Sequence, residues 1–122
     1  MGGYGALLIA EKYPNVVRAV AAISPAVWTT YDQAQGANAG AFASATAFAS
    51  CDVVTYASSL ERRPVRVASG ADDPFHPGVE ALAAALPSHA IVEISKGCHT
   101  GPYFASQEPA SLTFLASHLG AV

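Results

Sequence analysis

Met1-Gly2-Gly3-Tyr4-Gly5-Ala6-Leu7-Leu8-Ile9-Ala10-Glu11-Lys12-Tyr13-Pro14 is the stretch on which the reading of the fold turns. It runs from a glycine-rich turn straight into a helix, expected over about 3–13 and stopped by Pro14-Asn15. Gly3, Gly5 and Ala6 would let its first turn pack close to a sheet. By itself, a glycine-rich start is common to any strand–turn–helix unit, so its meaning depends on what comes next. Next comes Val16-Val17-Arg18-Ala19-Val20-Ala21-Ala22-Ile23, a nearly continuous apolar run ended by Ser24-Pro25. Continuous rather than alternating apolarity predicts a central parallel strand, covered on both faces. A helix followed by a buried strand requires a crossover, so a parallel α/β sheet is the economical inference.

The composition fits a covered sheet. The 122 residues suffice for one small domain and a core. They are 52% hydrophobic and only 12% charged, against about 25% charged in an average domain. So few charges imply strands covered on both faces or reliance on a partner. The net charge of −3 argues against nucleic acid or an anionic membrane surface as partner. No uninterrupted apolar run, Ala19 to Ile23 included, is long enough to span a bilayer. No charged n-region or apolar h-region of a signal peptide stands at Met1. The default expectation is a cytoplasmic protein, or a secreted one where more sequence precedes Met1.

Beyond the first crossover the pattern changes and then resumes. Residues 27–63 read as an insertion, irregular or helical, with alanine at every odd position from Ala37 to Ala49. Asp52 is expected to cap a short helix through Leu60, because Asp is a preferred N-cap residue. An insertion between two sheet strands on the ligand side would form a cap over a pocket. Trp28, Tyr31, Phe42 and Phe48 are candidates to line that pocket, or equally to fill the core beneath a loop. Residues 64–69 predict a second strand, left by the turn Gly70-Ala71-Asp72-Asp73-Pro74. Residues 77–86 predict a helix with Pro in its first turn and Val79, Leu82, Ala83 and Leu86 on one face. Residues 90–95 predict the last strand, left by Lys96-Gly97-Cys98-His99-Thr100-Gly101. A final helix over 109–119 would carry Leu112, Leu115, Ala116 and Leu119 on one stripe, with Gly120 ending it.

The chemistry-bearing residues fall at strand ends, where open parallel sheets bind their ligands. One glycine-rich turn carries an Asp pair and another carries a His, after a glycine-rich elbow at Met1. A serine hydroxyl becomes a competent nucleophile when a histidine takes its proton and a carboxylate holds that imidazole in the right tautomer. Serine, then acid, then histidine is the chain order of the α/β-hydrolase triad.

Met1-Gly2-Gly3-Tyr4-Gly5-Ala6 resembles the Ser-Met-Gly-Gly-Tyr-Gly-Ala elbow of the esterase branch of the α/β-hydrolases, which includes esterase D and the mycolyltransferases. Gly70-Ala71-Asp72-Asp73-Pro74-Phe75 is similar to that branch's acid turn. Gly97-Cys98-His99-Thr100 with Pro102-Tyr103-Phe104 is similar to its catalytic-histidine loop. The resemblance covers most of the chain outside 27–63. It implies the C-terminal portion of an α/β-hydrolase fold, with three parallel strands, flanking helices and a cap-like insertion. It also implies carboxylic ester hydrolysis or acyl transfer through an acyl-enzyme. His99 would be the base and Asp73, directly before Pro74, the acid, with Asp72 as the alternative. Met1 would take the second x position of Gly-x-Ser-x-Gly and give one backbone N–H to the oxyanion hole. The nucleophilic serine would stand immediately before Met1, so the 122 residues alone are expected to show no serine-dependent turnover; the alternative is a non-catalytic remnant or pairing subunit of a hydrolase fold.

The remaining candidates carry less. His76, Asp72, Asp73 and His99 lack the tight spacing of a metal site, so no metal and no cofactor is expected. His89 and His118 read as solvated. Cys51 and Cys98 could pair in an oxidising compartment but make no framework. Cys98 beside His99 is a poor nucleophile candidate, since the elbow belongs before Met1. Ser24, Ser69, Ser95 and Ser106 lack a Gly-x-Ser-x-Gly context. The expected ligand is a small ester or acyl compound, and an uncovered edge of the Val16–Ile23 strand would favour self-association.

Overall fold

The computed structural model describes residues 1–120. Three parallel strands form one sheet in the order β1-β2-β3, with β1 at Val20–Ile23, β2 at Val65–Gly70 and β3 at Ile91–Ser95. Helix α1 (Gly2–Lys12) precedes β1, and the connection to β2 carries α2 (Tyr31–Ala37), α3 (Ala45–Ala49) and a 3-10 turn at Ala57–Leu60. Helix α4 (His76–Ala85) joins β2 to β3, and α5 (Gly101–Leu119) closes the fold. The register pairs Val20 with Val65 and Arg66 with Ile91.

The central strand, β2, is buried at every position. Alternation along it sends Val65 and Val67 to one face and Arg66 to the other. The first face meets the main core, built with Leu7 of α1, Leu60 of the 3-10 turn, and Val79 and Leu82 of α4. On the second face Arg66 ties α5 to the sheet. Its guanidinium donates to Ser111 Oγ at 2.8 Å, to Glu93 Oε2 at 2.8 Å and to Gln107 Oε1 at 3.2 Å. A buried guanidinium is tolerated because its donors are satisfied this way. Helices thus flank the sheet on both faces, covering β1 and β2 as the continuous apolarity of the first strand predicts, while Ile91 and Ile94 of the edge strand β3 stay exposed.

Several boundaries differ from the sequence expectation. The first strand covers only Val20–Ile23, and Val16 is 79% exposed. Its neighbour offers a ladder only from Pro64 onward, and the N–H groups of Val16 and Val17 instead both donate to the Tyr13 carbonyl. The last helix starts at Gly101, eight residues before Pro109, which lies inside it. Pro102 takes the first-turn position that the sequence reading gave to Pro109. The stripe expected on this helix is not a buried one, since Leu112 and Leu119 are exposed. Asp52 does not start a regular helix. It accepts from Val54 N and Thr55 Oγ1 and holds a turn ahead of the 3-10 segment.

In the 27–63 segment, Thr30 and Ser44 accept hydrogen bonds from Gln33 N and Ala47 N and so cap α2 and α3. Trp28 and Phe48 are buried, and Tyr31 and Phe42 pack against the same core. These rings form a continuous cluster. Trp28 lies 5.9 Å from Tyr4, 6.1 Å from Phe42 and 5.7 Å from Phe75, centroid to centroid. Such tilted and edge-to-face distances are the favoured ones for aromatic pairs.

Candidate active site

The turns that leave β2 and β3 lie side by side because their strands are neighbours and two glycines bring the backbones together. A Cβ at Gly70 would run into the carbonyl oxygen of Gly97. Gly97 itself has φ +151°, a conformation that side chains disfavour, and a Cβ there would run into the ring of Tyr103. Backbone bonds then stitch the turns, Ala71 N to Ser95 O at 2.8 Å and Asp72 N to Gly97 O at 2.9 Å. Tyr103 is buried at the base of the second turn, where its hydroxyl meets Ser95 Oγ at 3.1 Å.

This arrangement brings Asp73 to His99. Asp73 is 3% exposed, and its Oδ2 lies 2.9 Å from His99 Nδ1. Its other oxygen accepts the Phe75 N–H at 2.9 Å, which fixes the plane of the carboxylate. An ionised carboxylate can only accept, so Nδ1 carries the proton and donates it. Nε2 of the neutral ring is then the free base. The imidazole is partly exposed, while the carboxylate behind it is sealed from solvent. Asp72 is exposed and contributes only its backbone, with its carbonyl accepting the Cys98 thiol at 3.2 Å.

Two further residues shape the site. Phe75 stands 5.1 Å from the His99 ring and Phe104 stands 5.0 Å from it, both close to edge-on. Their places in the acid turn and after the histidine loop put them in the quoted motifs, yet nothing in the sequence pattern says that both rings touch one imidazole.

The other candidates sit apart from this pair. Met1 is the exposed N-cap residue of α1, where its carbonyl accepts Gly5 N. Among the described residues no hydrogen bond joins Met1 to Asp73 or His99. His76 faces Glu80, with Nε2 3.3 Å from Oε1, and its Nδ1 is buried without a partner. Cys51 and Cys98 are both free thiols, and Cys51 Sγ lies 3.6 Å from Lys12 Nζ. Among the described residues no cluster of three or more His, Cys, Asp or Glu could hold a metal ion. None of the helices there is long and apolar enough to cross a membrane.

Two groups on α1 have displaced proton affinities. Burial, with Asp52 adding to it, pushes the Glu11 carboxyl up to about 8. Burial and Asp52 likewise raise the Tyr4 hydroxyl above its ordinary value. Tyr4 donates to the Cys51 carbonyl, whereas neither oxygen of Glu11 has a hydrogen-bond partner.

Comparison with known proteins places this geometry. No curated protein matches the sequence. Among solved structures, a ferulic acid esterase superposes with a TM-score of 0.72 at 21% identity, over 98% of this chain and 49% of that one. The chain therefore spans about half the length of that enzyme, and at this identity the likeness is one of fold. A family model described as Putative esterase matches residues 1–95, from the α1 elbow through the acid turn to the end of β3. With more than half of its length matched, the chain belongs to the Putative esterase family.

Proposed function

We propose that this chain supplies the base and the orienting acid of a serine-type carboxylic ester hydrolase. The observation that carries the reading is the 2.9 Å contact between His99 Nδ1 and the buried Asp73 carboxylate at adjacent strand ends. In that pairing His99 Nε2 removes the proton from a serine hydroxyl as it attacks the ester carbonyl. The imidazolium so formed is stabilised by Asp73 and returns the proton to the leaving alcohol. Water, activated by the same nitrogen, then releases the acid, and a second alcohol in its place makes the reaction an acyl transfer. The serine of this reading stands directly before Met1, whose backbone N–H would serve the oxyanion. The match to one half of a ferulic acid esterase supports a longer catalytic unit.

A serine-directed fluorophosphonate applied to the native source tests this. The expected result is a labelled peptide whose modified serine directly precedes the Met1-Gly2-Gly3-Tyr4 sequence, with labelling abolished by His99→Gln. Labelling elsewhere, or unchanged labelling in that variant, refutes the assignment. The isolated 122-residue chain is expected to give no phosphonate-sensitive turnover of p-nitrophenyl acetate.

A further inference from the structure

Phe75 touches both members of the Asp73–His99 pair. Its backbone N–H donates to Asp73 Oδ1 at 2.9 Å, and its ring centroid lies 5.1 Å from that of His99. Phe104, in the first turn of α5, sets a second ring 5.0 Å from the same imidazole. We infer that Phe75 and Phe104 are positioning residues for the base, two rings that hold the His99 imidazole in one orientation on Asp73. The inference rests on the ester-hydrolase reading for the task of Nε2, but not for the hold on the ring.

One hydrogen bond does not fix an imidazole. The torsion that turns the ring is broad and roughly two-fold, and the His99 side chain is 31% exposed, so water competes for its nitrogens. Asp73 Oδ2 restrains Nδ1 alone. Rotation about that bond would carry Nε2 away from the hydroxyl it serves. A misplacement of about 1 Å in such a group costs about a hundredfold in rate. The two phenyl rings oppose the rotation. Their planes meet the imidazole at 66° for Phe75 and 83° for Phe104, the edge-to-face arrangement that aromatic pairs favour. Turning the imidazole out of its plane disturbs both contacts.

Neither ring is free to follow such a turn. Phe75 is the N-cap residue of α4, where its carbonyl accepts the Val79 N–H at 3.0 Å and its own N–H is spent on Asp73. Its ring also meets the buried Trp28 at 5.7 Å and 87°, so it rests on the core as well as on the base. Phe104 donates its N–H to the Thr100 carbonyl at 3.0 Å. It follows Tyr103, the buried residue whose hydroxyl meets Ser95 Oγ at 3.1 Å. The acid turn, the histidine loop and the 27–63 segment are thereby tied to a single imidazole.

Leucine keeps apolar bulk at these positions and removes the flat ring, whereas tyrosine keeps the ring. In the ¹⁵N-labelled 122-residue chain, ring nitrogen–proton correlation reads the His99 tautomer, its signals assigned by their loss in His99→Gln. The chain should show one ring population with the proton on Nδ1. Phe75→Leu and Phe104→Leu should each speed exchange of that proton with solvent by about twofold to tenfold, the factor carried by one aromatic contact. The double variant should show more than either, and the single variants read the same exchange where it unfolds. Phe75→Tyr and Phe104→Tyr should restore the slow exchange, with the Tm of each variant checking its fold. In the longer, serine-bearing protein each leucine change should lower kcat about tenfold to a hundredfold at nearly constant KM, and tyrosine should recover it. Unchanged exchange in the leucine variants, a change in KM without one in kcat, or tyrosine variants as impaired as leucine overturns the inference. The hydrolase reading fails by a different sign, absent phosphonate labelling of the longer protein, while ring-dependent exchange in the 122-residue chain would still support the hold on His99.

Discussion

Asp73 meets His99 in one orientation only, because Phe75 N occupies its first oxygen and Nδ1 its second. Asp73→Asn would leave the shape intact and place an amide where a pure acceptor is needed. The imidazole would then lose its tautomer and its counter-charge, and under the proposed function kcat of the longer protein should fall by about 10³- to 10⁴-fold with little change in KM. The same change should remove the downfield Nδ1 proton resonance from the isolated chain, a readout that needs no substrate. Gly70 acts on the same bond from a distance. Gly70→Ala forces its Cβ into the Gly97 backbone, which cannot retreat because Gly97 already rests on Tyr103. A cost of about 1–3 kcal/mol is expected from overpacking. Denaturant unfolding measures that cost, and loss of the Nδ1 resonance would show that the two turns have moved apart.

At the scale of elements, α5 carries an internal conflict. Pro109 sits inside a nineteen-residue helix, where it donates no N–H and its ring crowds the carbonyl one turn back. Interior proline costs about 3 kcal/mol, so the helix continues through it only because tertiary contacts outweigh that penalty. Those contacts are Tyr103 at the histidine loop and the Arg66 bonds to Gln107 and Ser111 on either side of the proline. Pro109→Ala should therefore stabilise the chain by about 1–2 kcal/mol after allowing for the greater freedom of its unfolded state. Calorimetry should show this as a rise in Tm of several degrees, and a fall in Tm would mean that the proline sets a bend the packing requires. The same contacts account for the misplaced helix start in the sequence reading. Local proline rules mark two candidate starts, Pro102 and Pro109, and only the Tyr103 and Arg66 contacts decide between them.

For the whole molecule, the buried Glu11 carboxyl couples folding to pH. Its value of about 8 in the folded chain lies above the ordinary 4.5, so the folded state holds a proton that the unfolded state releases. Stability from this group is complete below about 4.5, falls as pH rises towards 8, and levels off above that. The slope cannot exceed about 1.4 kcal/mol per pH unit for one proton. Beyond burial, the Asp52 charge also opposes ionisation of this carboxyl. Glu11→Gln removes the titration while keeping the volume. The difference in unfolding free energy between the two proteins should therefore shift in favour of Gln as pH rises from 5 to 8. A difference that stays constant over that range would show that Glu11 is already ionised in the folded state.

Outside residues 27–63, sequence alone determined the element types, the parallel sheet and the two glycine-rich turns that bear Asp73 and His99. These follow from local rules, namely continuous apolarity in strands, proline and glycine at boundaries, and the length a crossover needs. The resemblance of three short motifs in the right order carried the family as well, and the match over residues 1–95 agrees. The resemblance favoured Asp73 over Asp72, but only the tertiary structure brings Asp73 to the histidine. Asp72 and Asp73 have the same charge and adjacent positions, but the tight Gly70–Gly97 approach leaves Asp72 in solvent and turns Asp73 inward. It also decided that β1 starts at Val20, because a strand extends only as far as its neighbour offers hydrogen bonds. Similarly, the placing of Trp28 beside Phe75, and of Phe75 and Phe104 around His99, joins residues far apart in the chain. Such contacts are properties of packing, and no periodicity or spacing in a single sequence encodes them.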